Sequence, residues 1–185
     1  MKTRHFILFG LIAIAFTACN LSGTVNNTPK IIFVTNPITN KTDTLNSYYT
    51  DASGVYRMDT IQVGDTVNFH ILLYGYSNNL TSYTITLNDT ASTGILLPGI
   101  NSLDSIFSTT SSNYSDGKFV FKSKISSLYL PFRYIAKKAT TTATISLMLS
   151  SDADFTGSNS VSGSNSISFV LRTPIVQAKQ TSVLQ

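Results

Sequence analysis

The 185-residue chain has no tryptophan and no glutamate, a single cysteine and two histidines. One thiol excludes an internal disulfide. Only His70 lies beyond the first few residues, so a zinc site of histidine and cysteine side chains is not expected, and no other metal or cofactor set is legible. The missing tryptophan removes the widest platform for stacking a sugar ring. All nine acids are aspartate, which leaves out one of the better helix formers. The longest basic run is Lys137 and Lys138, so nucleic acid finds little electrostatic support and is not expected as a partner.

What is present begins with a three-part N-terminus. Lys2 and Arg4 give a basic start, residues 6–16 ("FILFGLIAIAF") an uncharged apolar run, and Thr17 and Ala18 the small residues of a cleavage site just before Cys19. The run falls short of the roughly 20 apolar residues that a membrane span needs. This order resembles the lipobox of bacterial lipoproteins, with Phe16 where leucine is usual. The resemblance implies that residues 1–18 are a signal peptide and that Cys19 is lipidated, palmitate among its acyl chains, and becomes the first residue. Residues 19–30 then read as the lipidated cysteine and a flexible tether of roughly 35 Å at full stretch. Loss of Lys2 and Arg4 lowers the formal net charge from +4 to about +2.

The remainder suits one domain, 31–177, with a short tail over 178–185. Its patterning is that of strands. In "DTVNFHILLYG", Val67, Phe69, Ile71 and Leu73 share one face, while Thr66, Asn68, His70 and Tyr74 share the other. The same period of two recurs at Tyr83, Ile85 and Leu87, at Phe119 and Phe121, at Ala143, Ile145, Leu147 and Leu149, and at Ile167, Phe169 and Leu171. Residues 31–35 read either as a first strand or as part of the approach to the domain, and 55–63 as a further strand that reaches a turn at Gly64 and Asp65. Pro131, inside the strand-like 127–136, predicts an edge or a bulge. No helical period is sustained. Seven to nine strands with one apolar face each predict an all-β fold, a two-sheet antiparallel β-sandwich.

"IQVGDTVNF" followed by "LTSYTITL" resembles the early strands of immunoglobulin-like domains of bacterial surface proteins, although there is no Cys…Trp…Cys core. Five segments, "DTL", "DTI", "DTV", "DTA" and "DSI", resemble the acceptor motif of the general O-glycosylation system of Bacteroidetes, where about one match is expected by chance. The acceptors would be Thr44, Thr60, Thr66, Thr90 and Ser105. Together with the lipobox they imply a Bacteroidetes-type lipoprotein of the outer membrane. No acid follows Cys19 before Asp43, which by the habit of that group favours the periplasmic side over the cell surface.

Catalysis has little footing. There is no G-x-S-x-G elbow, and a single histidine on a polar strand face reads as a surface residue. Asp152 and Asp154 read as a solvated turn rather than a calcium loop. Tyr48, Tyr49, Tyr56, Tyr74 and Tyr76 cluster in sequence, and Asn68, His70 and Tyr74 form a candidate ligand face. The expectation is a non-catalytic, lipid-anchored envelope module that contacts the membrane through its lipid and binds a protein or glycan. A pilus or surface-layer subunit is the alternative, and a hydrolase is third. Replacing Cys19 with Ser should abolish palmitate labelling and recovery in the membrane fraction; labelling that persists in the variant would disprove the lipid assignment.

Overall fold

The computed structural model describes residues 25–46, 49–50, 55–156 and 162–178 and is built mostly of strands. In chain order these are β1 (Lys30–Phe33), β2 (Ile38–Thr39), β3 (Tyr49–Thr50), β4 (Tyr56–Arg57), β5 (Ile61–Gln62), β6 (Thr66–Tyr74), β7 (Leu80–Leu87), β8 (Thr93–Leu96), β9 (Lys118–Val120), β10 (Ser127–Ala136), β11 (Thr144–Ser151), β12 (Ser166–Arg172) and β13 (Ile175–Val176). A helix, α1 (Ile100–Ile106), follows β8. The chain is therefore all-β with several sheets.

A five-stranded antiparallel sheet has the order β1-β6-β10-β8, with β2 beside β6 beyond the end of β1. A six-stranded sheet runs β3-β4-β12-β11-β7-β9 and is antiparallel except between β12 and β4. The short β13 and β5 make a parallel pair. Alternation decides which side chains meet between the two larger sheets. Val67, Phe69, Ile71 and Leu73 of β6 are all buried, as their period of two predicts. They join Leu130, Phe132 and Tyr134 of β10, Tyr83 and Ile85 of β7, and Ile145, Leu147 and Leu149 of β11 in one apolar cluster. Phe69 and Phe132 are cross-strand partners whose rings stack at 4.8 Å and 3°. Phe33 of β1 meets Phe169 of β12 edge-on at 5.5 Å, and Tyr134 Oη hydrogen-bonds Thr173 Oγ1 at 2.6 Å, so both apolar and polar contacts cross between the sheets.

Three local features depart from the sequence reading or refine it. The strand expected over 55–63 is two short strands with different partners, β4 on β12 and β5 on β13, with the wholly buried Met58 between them. Helix α1 went unread because "INSLDSI" makes only about two turns, with no side-chain cap and no basic residue in its last turn; buried Leu103 holds it down. Pro131 is the third. Ala136 exchanges backbone bonds with Gly64 and Asp65 on the β6 side. By alternation the even-numbered residues of β10 turn their peptide groups the same way, and Pro131 turns its nitrogen away. On that side β8 pairs only with Arg133, Tyr134, Ile135 and Ala136. The proline thus stands where β10, though internal by strand order, is locally an edge.

Gly64 has φ 91, the left-handed conformation that the turn before β6 requires. Asp65 closes the turn, accepting Gln62 N–H at 2.8 Å and pairing with Lys41 at 2.6 Å while itself 4% exposed.

Tyr83 is wholly buried, and its hydroxyl has no partner among the described residues. Burial pushes its pKa well above the ordinary 10.0, and burial likewise raises Tyr134. The folded chain therefore keeps protons that the unfolded chain loses above about pH 10, and stability falls as the pH rises past that value. Tyr83→Phe should raise stability at neutral pH by about 1 kcal/mol, since an unsatisfied hydroxyl is removed, and should shrink the alkaline decline. Denaturant titrations of both proteins at pH 7 and above pH 10 would show this.

Candidate binding face

The outward residues of β6 fall into rows with those of its neighbours. Lys30, Tyr74 and Ser127 are in register, as are Ile32, Leu72 and Tyr129. His70 lies opposite Pro131, and Asn68 between Ile38 and Arg133, with Leu96 beyond Arg133. At strand spacings of about 4.8 Å and a rise of about 3.4 Å per residue, the face covers roughly 300–400 Å². Ile32, Val34, Ile38, Leu96 and Tyr129 are all exposed there, Tyr129 by 50%. Its cations are Lys30 and Arg133, and no strand residue pointing outward on this sheet is an acid.

Specific contacts shape this surface. The Tyr129 hydroxyl hydrogen-bonds His70 Nδ1, and the two rings lie 5.9 Å apart at 28°. Asn68 Nδ2 donates to Ile38 O at 3.3 Å, fastening β2. Beside them a shallow cleft of about 420 Å³ is lined by Asn68, His70, Leu96, Pro98, Pro131 and Arg133. The volume is within the range of small-molecule sites. The wall opposite β6 and β10 is the turn leading from β8 into α1.

The outer face of the six-stranded sheet is chemically different. Ser82, Thr84 and Thr86 of β7 lie in register with Ser150, Met148 and Ser146 of β11, and those with Ser166, Ser168 and Val170 of β12. It is a hydroxyl-rich, well-solvated surface, with Met148 and Val170 as its exposed apolar side chains on β11 and β12.

Of the residues singled out from the sequence, Asn68 and His70 come together at the cleft, while Tyr74 stands at the far end of the same face. There its ring is 4.5 Å from that of Tyr76, and Lys30 Nζ lies 5.5 Å from the Tyr76 ring centre. Tyr129, Arg133 and Leu96 were missed. The outward alternation of Tyr129, Pro131 and Arg133 is legible in "SLYLPFRYIA", but the register that sets them beside His70 is not. Thr44, Thr60, Thr90 and Ser105 are exposed and Thr66 is half-buried. Cys19, Tyr48, residues 1–18 and residues 179–185 lie outside the described residues, as do the side-chain surroundings of Tyr49.

Asp152 and Asp154 act as loop fasteners. Asp152 accepts N–H and Nδ2 of Asn79, both at 2.7 Å, and Asp154 accepts N–H and Oγ1 of Thr156 at 2.9 and 2.6 Å. The Thr156 contacts hold the Asp154 carboxyl below its usual range. Among the described residues no three His, Cys or Asp side chains converge to hold a metal ion, and no helix is long and apolar enough to cross a membrane.

A second cleft, of about 400 Å³, opens where β7 and β8 diverge, with Ile85, Leu87, Ile95, Tyr114, Asp116 and Lys137 on its walls. Its polar groups are largely engaged. Tyr114 Oη donates to Asp104 at 2.8 Å and Lys137 Nζ to Thr90 O at 3.2 Å. Desolvation, helped by the Asp104 carboxylate, pushes the Tyr114 hydroxyl up to about 12. The outer face of the five-stranded sheet, with its exposed aromatic and apolar side chains, is the stronger candidate for recognition. No protein-family model matches this chain, and no curated protein matches it.

Proposed function

We propose that this chain is a lipid-anchored cell-envelope module of the immunoglobulin-like β-sandwich type, without catalytic activity, and that it binds a protein partner through the outer face of its five-stranded sheet. The observation that carries the reading is the composition of that face: exposed Tyr129, Ile32, Val34 and Leu96 flanked by Lys30 and Arg133, with no acid among the outward strand residues. Tyrosine and arginine are enriched at protein interfaces and dominate their energetics. Exposed aromatic and apolar side chains rimmed by polar and cationic ones are a composition that interaction sites share. The cationic rim suits a partner whose matching surface is acidic at its margin.

Two more observations favour this over the alternatives. The N-terminal strand β1 is paired along its length to β6. That supports a self-contained module over a subunit that donates this strand to a neighbour. The sandwich assignment rests on the single apolar cluster shared by the two larger sheets. The exposure of Thr44, Thr60, Thr90 and Ser105 supports the Bacteroidetes-type assignment and its O-glycosylation, since an acceptor must face solvent. The outer membrane, on its periplasmic side, is the location this reading implies.

A photo-crosslinking residue at Tyr129 should yield one discrete crosslinked envelope protein in the native host, whereas the same residue at Met148, on the opposite sheet, should not. The crosslinked partner, once purified, should bind Tyr129→Ala at least about tenfold more weakly than the parent, with thermal stability unchanged. Equal crosslinking from both faces, or an unaltered affinity, would refute the assignment. Intact mass from the host tests the glycan: a mass equal to that of the lipidated polypeptide alone rules it out.

A further inference from the structure

We infer that the β6–β7 end of the domain is a membrane-seating surface, where Tyr74 and Tyr76 rest among lipid headgroups. The inference rests on the lipid-anchored reading and adds to it where the domain meets the bilayer. The tether expected over 19–30 is fastened from Val25 onward. Ser77 Oγ donates to Val25 O at 2.7 Å, Asn27 N–H to Asn78 Oδ1 at 3.1 Å, and Asn78 Nδ2 to Asn26 Oδ1 at 3.0 Å. Asn26 Nδ2 also bonds Asp154 O, and Ser164 N–H donates to Thr28 Oγ1 at 2.9 Å. Asn78, which bonds both Asn26 and Asn27, is only 4% exposed.

These bonds pin Val25 to the turn that carries Tyr76. At full extension no more than about 20 Å of chain separates Cys19 from Val25. The nine residues of β6 span about 30 Å, so the opposite end, at Gly64, lies farther from Val25 than the tether can reach. A lipid on Cys19 therefore holds the β6–β7 end next to the bilayer.

The groups at that end suit a headgroup layer. Tyrosine places an apolar ring and a polar tip across the membrane interface. Tyr76 has φ 59, a left-handed conformation rare for a bulky side chain. The turn enforces it: Asn78 N–H donates to Gly75 O at 3.0 Å, and a Cβ on Gly75 would lie 2.5 Å from Asn78 O. The Tyr76 ring is thereby held against Tyr74 and beneath Lys30. The loop leading into β10 is fixed at the same end by Gly75 N–H on Ser126 O and Leu80 N–H on Ile125 O, which brings exposed Lys124 near. The acids there, Asp152 and Asp154, have their carboxylates committed to Asn79 and Thr156. Two cations against two acids leave little net charge, so the tyrosine rings rather than Coulomb attraction supply the contact.

The absence of tryptophan makes the test direct. Lipidated Tyr76→Trp, purified from host membranes, carries a single indole and is reconstituted into phosphatidylethanolamine/phosphatidylglycerol vesicles with acyl chains brominated near the headgroup. Emission should fall at least about twofold against unbrominated vesicles, whereas Lys138→Trp, at the far end, should be unaffected. Co-flotation with the vesicles but no quenching at position 76, or equal quenching at both positions, overturns this inference alone. Failure to co-float overturns the anchored reading and this inference together.

Discussion

The ladder between β6 and β10 is the constraint on which the rest of the structure depends. It runs for nine residue pairs without a shift in register. Because side chains alternate, one register fixes two surfaces at once. With Phe69 opposite Phe132, the inner face carries a stacked aromatic pair and the outer face carries Asn68, His70, Tyr129 and Arg133. A slip by one residue would bury His70 and Asn68 and expose Phe69 and Ile71, losing several kcal/mol of apolar burial. The hydrophobic cost of that slip thus also holds the outer face in place, although no outward residue contributes to the core.

The five-stranded sheet protects its edges locally. In the five-stranded sheet, β1 and β2 share one side of β6, and β8 covers only the last residues of β10. The exposed stretch that remains includes Pro131, which cannot donate a backbone hydrogen bond, so the edge is blunted where an adventitious strand would otherwise add. The same divergence of β8 leaves room for the cleft beside His70 and Arg133. One local interruption of the ladder thus both lowers the risk of edge-to-edge association and supplies concavity to the candidate face.

Much of the fold could be read along the chain because long strands advertise themselves. Nine residues of alternation in β6, broken only by Leu72 on the outer face, favour the arrangement that buries Val67, Phe69, Ile71 and Leu73 together, and the structure has it. Two-residue strands give no such signal. Nothing in Tyr56 and Arg57, or in Ile175 and Val176, marks them as paired until their partners are placed, since pairing alone defines them. Helix α1 is similar: about two turns, held by Leu103, carry too little period to be seen. The fastened segment after Val25 was hidden for a different reason, because its Asn- and Thr-rich composition is that of a free linker, and only side chains far away in sequence, at Asn78 and Asp154, bind it.

The sequence by itself determined the class of the fold, the buried faces of strands such as β6 and β11, the turn at Gly64, and an N-terminus whose single cysteine has no partner with which to form an internal disulfide. Each follows from local chemistry: alternation, the left-handed conformation open to glycine, and the count of one residue type. Only the tertiary structure decided that Tyr129 lies against His70, that Arg133 and Leu96 flank Asn68, and that the tether ends at the tip bearing Tyr76. Those are facts of register and of contacts between distant segments. Register is set by the summed burial of whole faces and by loop closure, which no short stretch of the chain encodes.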